Sequence, residues 1–68
     1  MSDALPTDPD EIFELVIKAD EKLKYATAAN ADVRRAQARE LLELARDAAS
    51  AIGNDGLIAQ AETRLVDL

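Results

Sequence analysis

The sequence predicts an all-α protein: a small three-helix bundle in which an antiparallel helical hairpin is joined by a third helix. Three observations lead there. Apolar residues recur at three- and four-residue steps in three separate stretches. Residues that start and stop helices stand at the edges of those stretches. Nowhere does the chain alternate at period two with β-branched enrichment, as a strand requires. The chain has 68 residues, so one domain is expected, close to the lower size limit for an autonomous core. It contains neither Cys nor His, which leaves no disulfide and none of the usual ligands of a structural zinc. Stability must come from helix packing, from association, or from both.

Residues 1–7 read as a flexible lead ahead of a single domain over 8–68, with Leu5 the one residue there to bury. Asp8-Pro9-Asp10-Glu11 is a helix start. Asp8 suits the N-cap, Pro9 the first helical position, and Glu11 the third residue after the cap, as in a capping box. The first helix is expected over about 9–28. Its Ile12, Leu15, Val16, Ala19, Leu23 and Ala26 fall within an arc of about 100°. Phe13 and Ile17 widen that arc to about 200°, more than one neighbouring helix covers, while Tyr25 points the other way, near Lys18 and Glu21. The break expected at Ala28–Asp32 contains neither Gly nor Pro. Asn30 or Asp32 can cap the next helix, and one long helix through the segment is the competing reading.

The second helix is expected over about 33–52, with Leu41, Leu42, Leu44, Ala45, Ala48, Ala49 and Ile52 in one broad buried stripe that Ala38 extends backward. Arg39 and Glu43 stand at the i,i+4 spacing of a surface ion pair. Gly53 suits the left-handed position just past a helix end, and Asn54 or Asp55 can cap the third helix, expected over about 55–66. So short a connection makes the second and third helices antiparallel neighbours. The third helix buries Leu57, Ile58, Ala61 and Leu65, and turns Ala59 and Val66 away.

The stretch from Ala38 to Leu65 resembles part of a tetratricopeptide (TPR) repeat. The likeness lies in Leu41-Leu42, Ala45, Ala48-Ala49, Ile52-Gly53-Asn54 and the run Leu57-Ile58-Ala59-Gln60-Ala61-Glu62. A helix that ends in Ile, Gly and Asn before the next one opens is the pattern between successive repeats of that family. The first helix would then be the opening helix of the pair, and the chain would hold one repeat of ~34 residues and about half of the next. The resemblance implies binding of a protein or peptide and names no ligand.

The formal charge is −6, which favours solubility and argues against affinity for DNA, other nucleic acid or an anionic membrane. No apolar run approaches the ~20 residues of a membrane span, and the acidic, proline-containing start is unlike a signal peptide. A cytoplasmic protein is expected. The charge is unevenly spread. Residues 1–14 carry Asp3, Asp8, Asp10, Glu11 and Glu14 and no base, a net −5. Residues 22–39 carry Lys22, Lys24, Arg34, Arg35 and Arg39 against Asp32 alone, a net +4. In an antiparallel hairpin those bases meet at one pole. One reading is a docking patch for an acidic partner or a phosphate. The other is that Lys22 and Lys24 complement the negative end of their helix while the arginines are a solvated face, although Arg34 and Arg35 oppose the dipole of the helix they begin.

Catalysis needs a nucleophile, a tuned acid or base, or a metal. Without His and Cys the usual candidates are gone. Ser2 and Ser50 are the only serines, Ser50 facing water. Asp8, Asp10 and Glu11 lack the spacing of a calcium loop and are explained by helix capping. Gly53 and Gly56 lack the Lys-Ser/Thr of a phosphate loop. No enzyme, metal or cofactor is expected. The expected function is protein or peptide binding through Phe13, Ile17, Lys22, Lys24, Arg34, Arg35 and Arg39. A structural subunit completed as a homodimer or by another chain is the alternative, and an acidic inhibitor of a nucleic-acid-binding protein a further one.

Overall fold

Residues 5–68 are described by the computed structural model, and three helices account for most of them: α1, Pro9–Lys24; α2, Ala31–Ala51; α3, Asp55–Val66. No strand occurs among the described residues. The N-terminal lead expected over residues 1–7 lies outside them as far as Ala4. Leu5 is half-buried and packs against the core.

The start of α1 follows from its local chemistry. Asp8 accepts the Asp10 backbone N–H on Oδ1 at 2.9 Å, and Pro9 opens the helix, where its missing N–H costs nothing. Asp10 and Glu11 sit in the first turn and Lys22 and Lys24 in the last, both favourable to the helix dipole.

The end of α1 corrects the expected boundary: the helix stops at Lys24, four residues before Ala28. The Tyr25 N–H still reaches Glu21 O at 3.2 Å, but Ala26 N–H turns to Leu23 O in a tighter step. Thr27 and Asn30 then close on each other. Thr27 N–H donates to Asn30 Oδ1 at 2.7 Å, and Asn30 N–H donates to Thr27 O at 3.1 Å. A side-chain amide that gives a backbone N–H a partner outside the helix competes with helix continuation. Asn30 is the N-cap residue of α2 by position, its carbonyl accepting from Arg34 N–H at 3.0 Å. Its side chain points back into the turn instead of capping forward. α2 begins at Ala31, two residues ahead of the expected Val33. Separate α1 and α2 replace the single long helix.

The α2–α3 link is a Schellman turn. Asn54 N–H bonds Ala49 O at 2.9 Å and Gly53 N–H bonds Ser50 O at 3.1 Å, with Gly53 at φ 69°. Asn54 then caps α3, its Oδ1 accepting the Leu57 N–H at 3.0 Å. The turn sends α3 back along α2: Arg39 Nη2, in the first half of α2, lies 3.4 Å from the carbonyl oxygen of Leu68.

α2 is the central helix; α1 and α3 both lean on it and touch each other much less. The molecule is correspondingly flattened, 37 × 29 × 16 Å. The fully buried residues are Ile12, Val16, Leu42 and six alanines: Ala19, Ala38, Ala45, Ala48, Ala49 and Ala61. Four of those alanines lie on α2. Side chains this small let helices on both sides approach its backbone, and the larger Leu15, Leu23, Ile52, Leu57 and Leu65 seal the edges. No polar or charged residue is buried among the described residues, so the core asks for no internal hydrogen bonding.

Candidate partner-binding surface

The residues singled out from the sequence occupy three different places. Asp20 Oδ1 accepts from Arg64 Nε at 2.9 Å, which marks the side of α1 that turns toward α3. Phe13 and Ile17 lie on that side, since helical positions three and seven residues apart share a face. They remain 42% and 39% exposed. Val66 of α3 is 84% exposed, and Ala59 is also exposed.

The basic residues separate because α2 presents them in different directions. Arg34 and Arg35, neighbours in sequence, point about 100° apart on a helix. Arg35 and Arg39 are exposed, and Arg39 reaches Leu68 rather than Glu43, with which it forms no ion pair. Lys24 sits over the ring of Tyr25, its Nζ 5.5 Å from the ring centre, a distance at which a cation is drawn to the ring face. Lys22 and Arg34 come together.

They meet in an open groove along the junction of α1 and α2. At the loop end a depression of about 390 Å³ is lined by Lys18, Glu21, Lys22, Tyr25, Arg34 and Leu41. A second, of about 510 Å³, continues along α2 between Lys22, Gln37, Glu40, Leu41 and Leu44. The two share Lys22 and Leu41. On α1, Lys18 and Lys22 lie about 160° around the helix from Asp20, so the groove occupies the face turned away from α3. Its floor is apolar: Leu41 is half-buried and Leu44 remains 39% exposed. Lys18, Glu21 and Tyr25 are legible in the sequence as one face of α1. The part played by Leu41 and Leu44 is not, because on period alone they belong to the buried stripe of α2.

Two ion pairs form among the described residues, Asp20–Arg64 and Arg46–Asp47; Lys18, Lys22, Lys24 and Arg34 take part in neither. Asp32, the one acid of the basic segment, lies about 160° around α2 from Arg34. No group of three or more His, Cys, Asp or Glu side chains among the described residues is placed to hold a metal ion. No helix there is long and apolar enough to cross a membrane.

Fold and surface together define an all-α three-helix bundle with an open groove at its α1–α2 junction. No family model, curated protein or solved structure matches the chain.

Proposed function

We propose that the chain is a non-enzymatic, TPR-like interaction module of the cytoplasm that binds a protein or peptide through apolar helix surface flanked by lysine and arginine. The observation that carries this reading is the α1–α2 groove, where Leu41 and Leu44 stay accessible beside Lys22 and Arg34. Sites for small molecules enclose most of their ligand. An open trough with an apolar floor and charged rims has instead the anatomy of a protein contact, apolar at its centre and polar at its edge. The Gly53 turn and the alanine-lined α2 support the likeness to a repeat unit. The test is affinity capture from the native cell with the parent chain and with Leu44→Lys, whose exposed position tolerates the change. Proteins held by the parent and lost by the variant support the reading. Identical captures, or nothing above background, count against it.

A structural subunit completed by a second chain is favoured by a different observation, the exposure of Phe13 and Ile17 on one face of α1, since accessible large apolar side chains grouped on a surface mark contacts. Light scattering and unfolding across a range of concentration decide it: a monomer whose unfolding midpoint is independent of concentration excludes an obligate oligomer.

A further inference from the structure

We infer that the occupant of the α1–α2 groove is a short acidic peptide segment, bound extended, with carboxylates at the loop end and an apolar side chain over Leu41 and Leu44. The inference rests on the proposed interaction role and names the partner chemistry of that site.

Charge is the first argument. The chain as a whole is strongly acidic, yet three bases, Lys18, Lys22 and Arg34, line the groove against Glu21 and Glu40. The bases are engaged in no ion pair among the described residues. Lys24 adds a fourth positive charge beside Tyr25 at the same end. A partner bearing carboxylates is steered toward this end and away from the acidic remainder of the surface.

Chemical layout is the second. The bases gather where α1 ends and α2 begins, and Leu44 lies farther along α2. Carboxylate and apolar side chain are therefore read at opposite ends of one trough. From Arg34 to Leu44 the groove runs about 15 Å along the helix, the reach of four or five extended residues at about 3.3 Å each. A basic partner would face three cations at the loop end, and a purely acidic one would leave the Leu41–Leu44 floor wet.

The test is selection of a displayed library of random peptides on the intact chain, followed by titration of the isotope-labelled chain with an enriched peptide. The expected result is enrichment of sequences that combine Asp or Glu with an aliphatic or aromatic residue a few positions away. Their binding should weaken with added salt and shift the amides of Lys22, Arg34, Leu41 and Leu44. Lys22→Gln with Arg34→Gln should weaken it by about tenfold or more, with helicity unchanged. Glutamine is the right replacement at position 22, because a carboxylate in the last turn of α1 would oppose the helix dipole. Three results would overturn the inference: enrichment of basic peptides, enrichment of none, or amide shifts at Phe13 and Ile17 instead of the groove. The first and third would still leave an interaction module, whose own failure shows separately as a capture indifferent to Leu44→Lys.

Discussion

Asp20 of α1 and Arg64 of α3, 44 residues apart in sequence, are held together by one nitrogen: Arg64 Nε donates to Asp20 Oδ1 at 2.9 Å and to Oδ2 at 3.1 Å. The same guanidinium is fixed from behind, its Nη1 donating to the Gln60 carbonyl at 3.0 Å and to Gln60 Oε1 at 2.7 Å. This is the one polar link between α1 and α3 among the described residues, and it lies where those helices barely pack. The two side chains are 28% and 43% exposed, so water screens much of the attraction. A double-mutant cycle with Arg64→Ala and Asp20→Ala should give a coupling of about 0.5–1 kcal/mol, shrinking with salt. A coupling near zero would mean that packing on α2 alone sets the position of α3.

The two glycines should respond in opposite directions. Gly53 has φ 69° with open space around it, so the backbone and not crowding opposes a side chain. Gly53→Ala should cost about 1–2 kcal/mol, read by denaturant unfolding. Gly56 lies in the first turn of α3 at an ordinary φ, and an added Cβ would meet Asn54 Oδ1 at 3.5 Å, a normal contact. Gly56→Ala should stabilise by about 0.5 kcal/mol through the unfolded chain.

α2 offers a sharper test of how its faces are used. Leu42 is fully buried and Leu44 is not, although helical period assigns both to the same stripe. Leu42→Ala should cost about 3 kcal/mol. Ala45→Leu should cost about 1–3 kcal/mol, because a residue buried between close helices has no room for three more carbons. Leu44→Lys should change stability by less than about 0.5 kcal/mol. If Leu44→Lys destabilises as strongly as Leu42→Ala, the groove floor is part of the core and is not a binding surface.

What the sequence discloses and what it hides divide along a physical line. Asp8, Gly53 and Asn54 act on backbone groups within a few residues of themselves, so their roles follow from residue type and position. The fate of the basic segment does not. It depends on how far α2 is rolled against α1, which sends Arg34 into the groove with Lys22 and Arg35 away from it. The Asp20–Arg64 pair is invisible in the sequence for the same reason: nothing local to either residue names the other. The end of α1 falls between the two cases. Its determinants are local, but a breaker in which Asn30 reaches back to Thr27 carries none of the Gly or Pro signals by which helix ends are ordinarily recognised.

That breaker can be removed. Asn30→Ala deletes the acceptor of the Thr27 N–H. It also joins Ala28 and Ala29 to Ala31 in one unbroken alanine run, and alanine is the best helix former. Two effects should appear together. The hydrogen bond is solvent-exposed, so its loss should cost the monomer about 0.5–1 kcal/mol. The alanine run should also favour a continuous helix from α1 into α2. A continuous helix cannot fold back on itself, yet two chains that exchange α1 satisfy the same Ile12, Val16 and Leu42 contacts between them, which makes domain swapping a low-cost outcome. Size-exclusion chromatography with light scattering should show a larger dimer fraction for Asn30→Ala than for the parent, increasing with concentration. An unchanged fraction together with an unchanged unfolding midpoint would show that core packing, and not the Thr27–Asn30 turn, decides where α1 ends.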